Sequence, residues 1–128
     1  MKDTIEYINA KNNGRLYDDP NLMDALCEYL SSRLLELVED PGFLPLDDSK
    51  RRSCIRNVAA SFVDGYDTVA DGQLDIAWET EAYMQLISSN MQDPRFCVAD
   101  SIYAHPGCLE VSRKSFEDGM EEAIRILG

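Results

Sequence analysis

Apolar residues recur at three- and four-residue steps along most of the chain, which is the spacing of one face of an α-helix. The clearest run is DDPNLMDALCEYLSSRLLELVEDPG, where Leu22, Leu26, Leu30, Leu34 and Leu37 form a single stripe. Asp19 stands where a carboxylate caps free N–H groups, Pro20 suits the first turn, and Asp40-Pro41-Gly42 stops the run. Upstream, DTIEYINAKNNG pairs Ile5 with Ile8 and closes on Asn12-Asn13-Gly14, a C-terminal cap. Beyond GFLPL a third helix is predicted to start near Asp47-Asp48, with Ile55, Val58, Phe62, Tyr66 and Val69 as its stripe. Gly65 weakens that helix by about 1 kcal/mol relative to Ala. After a turn at Asp71-Gly72, a fourth helix carries Ile76, Ala77, Tyr83, Leu86, Ile87 and Met91. Asp93-Pro94 begins a short helix that ends near His105-Pro106-Gly107. The last helix runs to the C-terminus with Phe116, Met120, Ile124 and Leu127 inward.

The fold expected from this pattern is all-α, a compact bundle of five to six helices with short turns. No repeat, low-complexity run or linker divides the chain, so residues 1–128 are expected to form a single all-α domain. One stretch competes. In TVADGQLDIAW, Leu74, Ile76 and Trp78 alternate around Asp-Gly, as in a β-hairpin. Trp78 is the only tryptophan and sits beside Ile76 and Ala77, so it is expected to be buried. Truncating a buried Trp costs about 3–5 kcal/mol.

Charge changes the picture more than composition does. The 24 acids against 12 Lys and Arg give a formal net charge of -12. Such a surface repels nucleic-acid phosphates and anionic lipid, and draws a basic protein partner. Direct nucleic-acid binding and membrane association are therefore not expected. Neither a signal peptide nor an apolar run near the roughly 20 residues of a membrane helix is visible, so a cytoplasmic location is expected. The four cysteines, Cys27, Cys54, Cys97 and Cys108, then read as reduced thiols acting as small buried hydrophobes.

DTVADGQLDIAWE, residues 67–79, is the nearest approach to a metal site. With Gly72 at the sixth position of a twelve-residue EF-hand loop, Asp67, Asp71 and Asp75 fall at the first, fifth and ninth, and Leu74 at the eighth. The third and twelfth positions are Val69 and Trp78, which offer no oxygen, and Glu79 comes one residue late. A helix–turn–helix junction fits better, with Gly72 left-handed and Asp75 capping the next helix. His105, the sole histidine, lies near Cys97 and Cys108, but no Cys-x-x-Cys pair completes a zinc set. A Cys–His nucleophilic pair needs a geometry that spacing alone does not supply. No glycine-rich phosphate loop is present, and the abundant acids form no recognisable catalytic pair. No enzymatic activity and no cofactor are expected.

Two charged clusters remain. Lys50, Arg51, Arg52 and Arg56 sit at a helix start, where Asp47 and Asp48 offset their conflict with the helix dipole. Glu36, Glu39 and Asp40 close one helix, and Glu117, Asp118, Glu121 and Glu122 crowd the last. The i,i+4 pairs Glu117/Glu121 and Asp118/Glu122 cost a few tenths of a kcal/mol each. Acids near helix C-termini also oppose the dipole. Placements that folding does not favour suit a partner surface. The expected function is a non-enzymatic acidic protein that occludes a basic surface of a nucleic-acid-handling protein. In size, charge and helicity this is analogous to DNA mimics, anti-CRISPR and anti-restriction inhibitors and nuclease immunity proteins, none of whose motifs is present. The alternative is a helical adaptor or oligomerisation domain with a hydrophobic contact face.

Overall fold

The structure, a computed structural model, describes residues 2–39, 48–91 and 106–127. Six helices and no strand occur among them: α1 (Lys2–Lys11), α2 (Arg15–Asp18), α3 (Pro20–Glu39), α4 (Asp48–Ala70), α5 (Ile76–Met91) and α6 (Pro106–Leu127). The all-α expectation holds, and the hairpin is excluded. The one-turn α2 was not marked by periodicity. Leu16 within it is fully buried and anchors the chain between α1 and α3.

Local chemistry sets the boundaries. Asn13 and Gly14 both have positive φ, 56° and 79°. The Gly14 N–H reaches the Asn9 carbonyl at 2.9 Å and the Asn13 N–H the Ala10 carbonyl at 3.3 Å, the paired bonds of a Schellman cap. Asp19 accepts the Leu22 N–H at 3.1 Å through Oδ1, ahead of Pro20 in the first turn of α3. The stop at Asp40-Pro41-Gly42 and the short helix from Asp93-Pro94 lie outside the described residues.

The core is built on α4 and α6, which form the dominant packing pair. Val58, Phe62, Tyr66 and Val69 are buried along α4, and Ile55 partly so. Leu22, Leu26 and Leu30 of α3 and Ile5 and Ile8 of α1 close over them. The side chains of Leu34 and Leu37 lie outside the described residues. On α6 the inward stripe differs from the expected one. Phe116 and Met120 are buried, but Ser112, Ser115 and Ala123 join them, while Ile124 and Leu127 are exposed. The reason is close approach. A Cβ on Gly65 would collide with the Phe116 carbonyl oxygen, and one on Gly119 with the Phe62 carbonyl oxygen. The two backbones meet where neither has a side chain, so the seam selects small residues. The Ser115 hydroxyl donates to the Val58 carbonyl across it.

Helix α5 also differs from its expected stripe. Thr80, Met84 and Ile87 face inward, whereas Ala77 and Leu86 are exposed. Trp78 is 71% exposed, contrary to its expected burial. Adjacency to Ile76 did not decide its side, because each helical residue turns the side chain by about 100°.

Candidate functional site

Residues 67–79 form a helix–turn–helix junction. Asp67 and Val69 lie inside α4, and the Asp67 carbonyl accepts the Asp71 N–H at 2.9 Å. Gly72 has φ 98°. The Gly72 N–H bonds the Val69 carbonyl at 2.9 Å and the Gln73 N–H the Thr68 carbonyl at 3.1 Å, a second Schellman cap. Asp75 then caps α5, its Oδ1 accepting the Trp78 N–H at 3.1 Å. Helical backbone at Asp67 and Val69 cannot wrap a cation as an EF-hand loop does. Among the described residues, no three His, Cys, Asp or Glu side chains are grouped to hold a metal ion. His105 and Cys97, and the side chain of Cys108, lie outside the described residues. The Cys54 side chain is buried and that of Cys27 half-buried.

The acids marked on sequence grounds are partly gathered and partly separated. Asp118, Glu121 and Glu122 of α6 line a groove with Glu28, Ala25 and Tyr29 of α3, over Phe62 and beside Arg125. Its volume is about 470 Å³. Tyr29 stacks on Phe62 with ring centroids 4.6 Å apart and makes the groove's inner wall. The buried Arg33 guanidinium ties the edge together, pairing with Glu36 and lying 3.8 Å from Asp118. Arg125 pairs with Glu122. Among the described residues, four carboxylates thus line the groove with the guanidinium of Arg125, and that of Arg33 lies at its edge. Glu117 is not among them; it acts on Arg113, which pairs with Glu81 of α5. Glu39 is exposed near the end of α3, and Asp40 lies outside the described residues. Glu28 was missed because it stands alone in sequence, and only the fold brings it to Glu121 and Glu122.

A second acidic groove, of about 420 Å³, runs between α4 and α5. Asp64, Asp67, Thr68 and Asp71 form its α4 wall, and Glu79, Ala82, Tyr83 and Leu86 its α5 wall, with Phe116 contributing from α6. Tyr83 stacks on Phe116 with centroids 4.2 Å apart, and its hydroxyl donates to Asp64 Oδ2 at 2.9 Å. Burial pushes the Asp64 carboxyl above the usual carboxylate range, with the Tyr83 hydrogen bond opposing. Burial also raises Asp67, opposed by Arg15 and reinforced by Asp71 and Asp19. The signal in sequence was the i, i+3, i+7 spacing of Asp64, Asp67 and Asp71 on one helical face.

Of the basic cluster, Arg52 is exposed and Arg56 lies 4.8 Å over the Tyr7 ring; the Lys50 side chain lies outside the described residues. No helix among the described residues is long and apolar enough to cross a membrane. The chain matches no protein-family model, no curated protein and no solved structure.

Proposed function

We propose that this is a non-catalytic binding protein that occludes a basic surface of a nucleic-acid-handling protein through the α3–α6 groove. The observation that supports this is convergence: Glu28, from α3, meets Asp118, Glu121 and Glu122, from the far end of the chain, in one groove. A duplex presents one phosphate charge per roughly 1.7 Å, so a protein competing for the same site needs carboxylates concentrated on one face. Arg33 and Arg125 orient Glu36, Asp118 and Glu122 at the cost of part of their charge. Glu28 and Glu121 are exposed, where they are placed to meet Lys or Arg of a partner. Association through such a face is fast and weakens with salt.

The test begins with affinity capture from lysate and identification of the bound protein. The captured partner is expected to lose its nucleic acid in a gel-shift assay when the protein is added. Glu28→Lys, Asp118→Lys and Glu121→Lys together are expected to abolish this competition, and Glu117→Lys to leave it intact. Undiminished competition by a folded triple variant would remove the α3–α6 face from the mechanism.

The adaptor reading is favoured by a different observation. Leu74, Trp78 and Leu86 are 64%, 71% and 58% exposed around a single helix.

A further inference from the structure

Isolated apolar side chains on a surface are ordinary, whereas a continuous apolar patch with an acidic rim marks a contact site. On α5, Trp78, Ala82 and Leu86 are exposed at successive four-residue steps, which places them on one face. The opposite face seats the helix through Thr80, Met84 and Ile87. Ala82 and Leu86 also belong to the α4–α5 groove, so the stripe continues into it. Within the groove, Leu86, Tyr83 and Phe116 supply apolar and aromatic surface, while Asp64, Asp67, Asp71 and Glu79 supply four carboxylates. Among the described residues, no lysine or arginine lines it. The cations acting on its acids are Lys11 on Asp64 and Arg15 on Asp67.

We infer that the α4–α5 groove and the adjoining Trp78 face dock a short amphipathic helix whose apolar stripe is flanked by lysine and arginine. Charge complementarity selects this occupant. A second copy, itself at -12, would add acid to a groove already lined by acid. Anionic lipid and nucleic acid are repelled for the same reason. Geometry selects the helix. Each wall spans eight residues, Asp64 to Asp71 and Glu79 to Leu86, whose seven steps cover about 10 Å or two helical turns. Two turns present apolar anchors at i, i+3 or i+4, and i+7, the usual spacing of a helix laid in a groove. Trp78, one residue before Glu79 and one turn before Ala82 on the same face, adjoins the groove and supplies the type of side chain that dominates binding energy. The two grooves share no lining residue among those described, so the two proposals fail independently.

Trp78 is the only tryptophan, so the emission of the full chain reports this face directly. The probe is a synthetic amphipathic peptide of about 15 residues. It lacks Trp and Tyr and has leucines on one face and lysines and arginines on its flanks. The control carries glutamates in place of the basic residues. The basic peptide is expected to shift Trp78 emission to shorter wavelength, saturably, and to shield it from acrylamide. Raising salt from about 0.1 M to about 1 M cuts the screening length from about 10 Å to about 3 Å and is expected to weaken binding about tenfold or more. Leu86→Asp, and separately Asp71→Lys with Glu79→Lys, are expected to weaken it about tenfold or more. Glu28→Lys, on the other groove, is expected to leave it unchanged. The inference is overturned if the basic peptide leaves the emission unaltered, if the glutamate peptide binds equally well, or if the folded variants bind like the parent. Two results with the free chain also overturn it. Shielding of Trp78 at every concentration would mean that another part of this chain, such as residues 92–105, occupies the face. Shielding that grows with concentration would mean that a second copy does.

Discussion

Asp19 performs two tasks with one carboxylate. Oδ1 caps α3 through the Leu22 N–H, and Oδ2 accepts the Tyr66 hydroxyl at 3.1 Å, fastening the start of α3 to the C-terminal part of α4. The cap was legible in the sequence because Asp-Pro is a local signal. The tie to Tyr66 was not, because it joins residues 47 apart. Burial, and then the hydrogen bond and charge of Asp19, push the Tyr66 phenol from its ordinary 10 to about 12. Asp19→Ala loses both tasks and is expected to cost about 1–3 kcal/mol. Tyr66→Phe loses one and is expected to cost about 1 kcal/mol. A double-mutant cycle by chemical denaturation separates the shared part. Because the folded pKa of Tyr66 is raised, its contribution is full below pH 10 and fades as pH rises towards about 12. Ultraviolet titration should show one tyrosinate delayed to that range; a tyrosine set that ionises uniformly near 10 would break the link.

Among the elements, α4 and α6 carry the fold, and their seam explains which periodicities could be read. Where a helix packs through Leu, Val and Phe, as in α3 and α4, the apolar stripe named the buried face. Where it packs by close backbone approach, as in α6, Ser112, Ser115, Gly119 and Ala123 are buried beside Phe116 and Met120, and small residues of this kind give little hydropathy signal. Ile124 and Leu127 were then the wrong guides. Gly65 shows the same thing from α4. By propensity it is a flaw of about 1 kcal/mol, yet in the seam it is a requirement. Gly65→Ala and Gly119→Ala are each expected to destabilise by about 1–3 kcal/mol net, since overpacking against backbone outweighs the helical gain. For a domain of this size each kcal/mol lowers Tm by several degrees. A rise in Tm for either variant would mean that the two helices can separate at little cost. Helix α5 is the converse case. It leans mainly on α6, so its stripe divides between a seat of Thr80, Met84 and Ile87 and an outer face with Trp78 and Leu86.

Across the whole molecule, the net charge of -12 fixed the kind of partner to expect, but only the fold shows where acids meet. The run Glu117–Glu122 divides around the α6 axis, because adjacent helical residues differ by about 100°. Asp118, Glu121 and Glu122 join Glu28, while Glu117 turns towards Arg113. Asp64, Asp67 and Asp71 gather in the α4–α5 groove. Such gathering disfavours the folded state at neutral pH. The Asp67 carboxyl is raised above its ordinary 3.8, first by burial and then by Asp71 and Asp19 against the pull of Arg15. The folded state therefore holds this proton more tightly than the unfolded chain does. The resulting stability is full below 3.8 and is lost as pH rises through the raised folded value. Asp67→Asn removes the charge with little change in helix propensity. It is expected to raise Tm at neutral pH, with a gain of about 0.5 kcal/mol or less because the carboxylate is partly solvated and screened. The gain should shrink as pH falls and vanish near the ordinary carboxylate range. In the groove the sign reverses. A basic helix favours the ionised carboxylate, so Asp67→Asn is expected to weaken peptide binding, and parent affinity is expected to fall as pH drops through the raised value. Thermal denaturation and Trp78 emission across the same pH series measure both effects. A Tm difference between parent and variant that is flat with pH would show Asp67 to be an ordinary solvated carboxylate.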